Sequence, residues 1–130
     1  MLTQTTNRAP QQIFSWALRQ ETWLHRRLQR AALRAAQAQA FAHFAQEHPL
    51  WAESLFDEHF LNHGAAPLIA RTLDSANRPD AFEFAEAWFT QCAAPGATAE
   101  GVNLAEVTMA AFAFLRYLDA ALRPYQAILR

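Results

Sequence analysis

Lysine is missing from this sequence altogether, cysteine occurs once, and glycine only three times in 130 residues. Each shortage excludes something. A lone Cys92 cannot close an intrachain disulfide, which fits a reducing compartment, and we expect a cytoplasmic protein. Three scattered glycines cannot build a phosphate-cradling loop, and they leave little material for hairpin turns. Valine and isoleucine are scarce, which argues against a sheet. No apolar run approaches the ~20 residues that span a bilayer. The longest, "VTMAAFAFL" at 107–115, has the length of a core helix, so no membrane is expected. The start, "MLTQTTNRAPQQ", lacks a basic segment followed by an apolar one, so no signal peptide is expected.

What remains is helix-forming. Ala, Leu, Gln, Glu, Arg and Phe dominate, 52% of residues are hydrophobic and 12% aromatic, enough for a real core. The expected fold is all-α: a single-domain bundle of about five helices over residues 10–130, after a disordered or extended segment 1–9. The first helix should run from near Pro10 to about Glu47, with no glycine or proline inside it. At 1.5 Å per residue it would be roughly 55 Å long, which suggests a bend, a break or a second copy as cover. The second should run from Pro49 to Gly64, with Gly64 as its left-handed stop. A short third opens at Pro67 and closes near Asn77, and a fourth starts at Pro79–Asp80. The fifth is preceded by a capping-box spacing, Asn103 with Glu106, and runs to about Arg123, where Pro124 kinks it or restarts a final turn. Residues 107–115 leave this helix almost no polar face, so it belongs at the centre of the bundle or at a subunit seam.

All 11 basic residues are arginine, and they are unevenly spread. Residues 1–46 carry a net charge of +5 and residues 47–130 a net −6, giving the overall −1. On a helical wheel of the first helix, Arg19, Arg26, Arg27, Arg30 and Arg34 share one sector with Trp16, Trp23, Phe41 and Phe44. Ile13, Ala17, Leu24, Leu28, Ala31, Ala35 and Ala42 lie on another side, which reads as the core face. A merely solvated sector rarely spends two tryptophans. It calls for a cover: the acidic remainder of the same chain, a second copy or another protein, or a nucleic acid. Tryptophan and arginine are the types enriched in binding hot spots. Nucleic acid is disfavoured, because dedicated nucleic-acid domains are basic overall and this chain is not. The expected function is therefore a non-enzymatic protein-interaction or regulatory module, homodimeric, acting through Trp16, Arg19, Trp23, Arg26, Arg27, Arg30 and Arg34.

A second function class rests on His59 and His63, four residues apart and so on one side of a helix. On a continuous second helix they share an apolar sector with Trp51, Ala52, Leu55, Phe56 and Phe60. They read either as half-buried core histidines or as ligands of a metal or haem in a small-ligand sensor. Together with His43 and Glu47 they resemble the second- and third-helix ligand pattern of haemerythrin-like proteins, which implies a di-iron site in a helical bundle. Two departures count against that implication: no histidine follows His63, and a turn at Pro49 would leave the two pairs about 7 Å out of register. His48 reads as a helix-terminus residue only. No nucleophile has a visible base beside it, and Glu83 and Glu86 read as a solvated face, so no enzyme is expected and no cofactor is required.

Overall fold

In a computed structural model the chain is described over residues 10–74, 76–92 and 104–129, with side chains from Arg19 onward except those of Cys92 and Leu129. The expectations for residues 1–9, for Asn103 as a cap, and for the side chains of Ile13, Trp16, Ala17 and Cys92 lie outside the described residues. The fold is all-α, with no strand among the described residues.

Helix α1, Pro10–Glu47, is continuous over 38 residues. It is about 57 Å long, against roughly 35 Å across a compact chain of this size. His48 ends it with φ −135° and ψ 65°, because the proline ring that follows pushes this residue out of helical conformation. Pro49 then starts α2, Pro49–Ser54.

The segment expected as one helix over 49–64 is two. Asp57 is the reason. In an extended conformation, its carboxylate accepts the backbone N–H of Phe60 at 2.7 Å and caps a new helix, α3, Glu58–Asn62. Trp88 fixes this break from outside by donating its indole N–H to the Leu55 carbonyl at 2.7 Å. Gly64 follows α3, but not in a left-handed conformation. Its requirement is room, since a Cβ there would lie 2.9 Å from Gln91 Cγ and 3.0 Å from Phe60 Cδ1.

Helix α4, Ala66–Arg71, stops well short of Asn77. Asp74 draws the chain into a turn by accepting the Ala76 N–H and the Asn77 side-chain amide. Helix α5, Ala81–Cys92, opens on a reciprocal capping box in which Asp80 accepts the Glu83 N–H and Glu83 accepts the Asp80 N–H. Glu83 is also paired with Arg71 at 2.9 Å, so it is not a free member of a solvated face. Helix α6, Leu104–Leu122, passes at Arg123–Tyr125 through a 3₁₀ turn containing Pro124 into α7, Gln126–Leu129.

Helix α6 is central, packed between α1 and α5. Phe114 sits fully buried on it, with the rings of Phe44, Phe56 and Phe84 at 5.8, 6.4 and 6.3 Å. It is not surrounded on every side, however. Val107, Ala110, Ala111 and Leu118 are buried, while Met109 and Phe112 remain exposed beside Phe82. Phe114 meets Phe44 near the end of α1, and α7, further down the chain, also touches α1.

Candidate interaction surface

The body of the bundle covers α1 from Ala32 onward and leaves residues 19–31 unburied. Leu33, Ala36, Ala40 and Phe44 are buried against the core, with Phe41 half-buried beside them. From Arg19 to Ala31 no residue of α1 is buried. The face expected as core is not the one used: Leu24 and Leu28 are 53% and 55% exposed, and Ala31, Ala35 and Ala42 are exposed as well. Over residues 33–44 the chosen face carries Leu33 and Phe44 where the other offers only Ala35, Ala38 and Ala42, so its burial removes more apolar area from water. The arginine sector therefore has two fates. Its far end, Phe41 and Phe44, enters the core, while its near end projects.

On the projecting half Arg19, Arg26, Arg27 and Arg30 are exposed, as is Arg34 at the start of the packed half. The Arg27 guanidinium lies 5.1 Å from the centre of the Trp23 ring, a cation–π contact worth about 0.5–1 kcal/mol at an exposed site. Trp23 is nevertheless 50% exposed. A shallow groove there is lined by Arg19, Thr22, Trp23, Arg26 and Arg30. Two ion pairs occur among the described residues, Arg71–Glu83 and Arg78–Asp119, and neither involves the stripe. Among the described residues no acid of the same chain forms an ion pair with the stripe, though Glu58 lines a groove with Arg34. The acids lie on the body, at Glu47, Glu53, Glu58 and Glu86, and the projecting half extends away from it. Trp16, the remaining member of the stripe, has its backbone in α1 and its side chain outside the described set.

The stripe runs on into a second groove between α1 and α3, where Arg34 and Phe41 face Glu58 and Leu61. Gln37 bridges the two helices by donating to the Asn62 side chain at 2.9 Å.

His59 and His63 do come together, with ring centroids 4.5 Å apart, but they are exposed and do not point at the core. The break at Asp57 is the cause: α3 turns Phe60 and Leu61 inward and leaves the histidines on the wet side. Two exposed imidazoles can hold one divalent ion at two points. Among the described residues no group of three or more His, Cys, Asp or Glu could hold a metal. A haem needs apolar walls around its ligand, and these rings face solvent. His43 and Glu47, the other pair in the haemerythrin-like pattern, are likewise exposed.

His48, read from the sequence as a terminus residue, does more. Its imidazole stacks on Trp51 at 4.6 Å and lies 6.5 Å from the Tyr117 ring. The cue was the three-residue step from His48 to Trp51 across a proline, a spacing that brings side chains together on a first helical turn.

Among the described residues no helix is long and apolar enough to cross a membrane. Comparisons with protein-family models, curated proteins and solved structures find no match.

Proposed function

We propose that this chain is a non-enzymatic protein-interaction or regulatory module, homodimeric and cytoplasmic, whose docking element is the projecting half of α1. One observation carries the reading: four arginines and a half-exposed tryptophan stand on the stretch of helix that leaves the body, with no carboxylate in an ion pair with them among the described residues. Guanidinium forks beside an indole suit a surface that offers carboxylates around an apolar centre. The partner surface is therefore acidic protein. Nucleic acid, the competing polyanion, is disfavoured by the chain's net charge of −1.

The test uses fluorescence anisotropy with labelled probes of equal charge: an oligoglutamate peptide, a single-stranded oligonucleotide and a duplex. We expect the peptide to bind at low salt. Binding should weaken at least tenfold, about 1.4 kcal/mol, in Arg26→Glu/Arg30→Glu. If the wild-type chain ignores all three probes, the stripe is not a docking surface. Tighter binding of an oligonucleotide would hand the surface to nucleic acid.

A further inference from the structure

The exposed side of α1 opposite the body has a pattern of its own. Leu24, Leu28, Ala31, Ala35, Ala38 and Ala42 follow one another at steps of four, three, four, three and four residues. All six are exposed. This spacing is the a/d seam of a coiled coil. On the wheel it lies nearly opposite Leu33, Ala36 and Ala40, which hold the body. Glu21, one step further toward the amino terminus, ends the stripe. Ala38 borders the groove between α1 and α3, and the other five seam residues do not line it. We infer that two copies of the chain pair antiparallel along α1 through this seam. The inference rests on the homodimeric part of the reading above and supplies the surface responsible.

Three features select a second copy in this orientation. The first is side-chain size. With Leu24 set against Ala42 of the second copy, the following layers are Leu28 against Ala38 and Ala31 against Ala35. Each leucine then faces an alanine, and the helices can approach closely along the whole seam. A parallel pair would stack leucine on leucine at one end and alanine on alanine over the rest, which forces the axes to diverge or leaves voids.

The second feature is charge. Residues 1–46 carry +5 and the remainder −6. Antiparallel pairing runs each arginine-bearing half beside the Glu47 end of the other copy, whereas parallel pairing puts the two cationic halves together. The third is what flanks the seam. Arg27 comes to lie across from the half-buried Phe41 of the second copy, a cation–π pairing made twice by symmetry. The two Arg34 side chains approach the two-fold axis, and each shares a groove with Glu58 of its own chain, which offsets their repulsion.

The experiment is a solution mass by analytical ultracentrifugation on the full chain, at about 1–100 μM, for wild type, Leu24→Glu/Leu28→Glu and Arg26→Glu/Arg30→Glu. All four replaced side chains are exposed in the single chain, so circular dichroism and the melting transition should confirm an intact fold. We expect a wild-type dimer, a dimer dissociation constant raised at least about 100-fold in the leucine variant, and a dimer retained in the arginine variant. A nitroxide at Gln20→Cys, in a Cys92→Ser background, reads the orientation. Antiparallel pairing about residue 33 sets the two labels about 40 Å apart, and parallel pairing under about 20 Å.

A wild-type monomer throughout this range overturns the homodimeric reading and this inference with it. A leucine variant that stays dimeric overturns the seam alone and leaves self-association standing through another face. A short label distance overturns the antiparallel arrangement.

Discussion

The two halves of α1 belong to one unbroken helix and end in opposite circumstances. From Leu33 to Phe44 the helix is an internal wall of the bundle. From Arg19 to Ala31 it stands clear of it. Composition already separates them: residues 33–44 hold eight apolar residues and one arginine, residues 19–31 four apolar residues and four arginines. The packed half also places a large aromatic on its inner face. Phe44 meets Phe114 edge to face at 5.8 Å, and the whole of the bundle gathers around that contact. The projecting half has its aromatic, Trp23, on the outer sector. A long helix can thus serve as scaffold at one end and as exposed handle at the other, with no break between them.

The harshest way to sharpen this contrast is to remove the inner aromatic. Phe44→Ala deletes a fully buried ring where α1 meets α6 and Phe56 of the break before α3. The expected cost is about 3–5 kcal/mol, read as a shift of the urea midpoint. If the loss proves no larger than that of an exposed substitution, the inner half is not the scaffold described here.

That contrast also marks how far the sequence could be read. The helical class and the long first helix follow from composition and from the absence of Gly and Pro between 11 and 47. The start of α5 was legible at Pro79–Asp80, though the Asp80–Glu83 capping box there went unread. The core face of α1 was not legible, because a helical wheel displays two apolar faces and cannot say which one the rest of the chain will cover. Choosing the Leu24–Ala42 side followed the more continuous stripe, whereas burial followed the larger side chains. The orientation of His59 and His63 was lost for a local reason: a wheel assumes an unbroken helix, and one carboxylate at Asp57 is enough to restart it. That the far end of the arginine sector enters the core and its near end stays bare depends on where the body stops, a tertiary fact whose local trace is the shift from arginine-rich to alanine-rich composition along α1.

The next largest effect lies inside the body, at the joint that turns α3. Trp88→Phe keeps the ring's bulk but leaves the Leu55 carbonyl without its donor. A buried acceptor left unpaired costs about 1–3 kcal/mol. Proteolysis at the 55–57 break should accelerate in parallel, since this bond holds the break in place. An unchanged stability would mean that water replaces the indole N–H. Gly64→Ala should follow at about 1 kcal/mol, because the new methyl must push aside Phe60 and Gln91. If it is neutral or stabilising, the ring of Phe60 has slack.

Acid should act on the body only mildly. Asn77 and the Ala76 N–H hold the Asp74 carboxyl below its ordinary range, and Arg71 with the Asp80 N–H does the same for Glu83. A carboxylate with a lowered native pKa contributes stability above its unfolded value, and that contribution disappears as pH falls through the native one. Both groups are exposed, so the loss is small and begins only in and below the ordinary carboxylate range. Melting temperatures measured from neutral pH downward should show a shallower acid decline for Glu83→Gln than for wild type. Identical slopes would remove this pair from the account.

The smallest effect is the most informative about the projecting half. Leu28→Ala removes as much hydrocarbon as many core truncations, yet this side chain is already 55% exposed. In the single chain its loss should change stability by no more than about 0.5 kcal/mol, measured by urea unfolding at a concentration low enough for monomer. Repeated at high concentration, the same substitution should lower the midpoint, because a contact made only between copies adds stability by mass action. A variant that loses about 2 kcal/mol or more even when dilute would mean that Leu28 has a partner within its own chain. The distinction between a covered half and a handle would then fail at the residue where it is drawn most sharply.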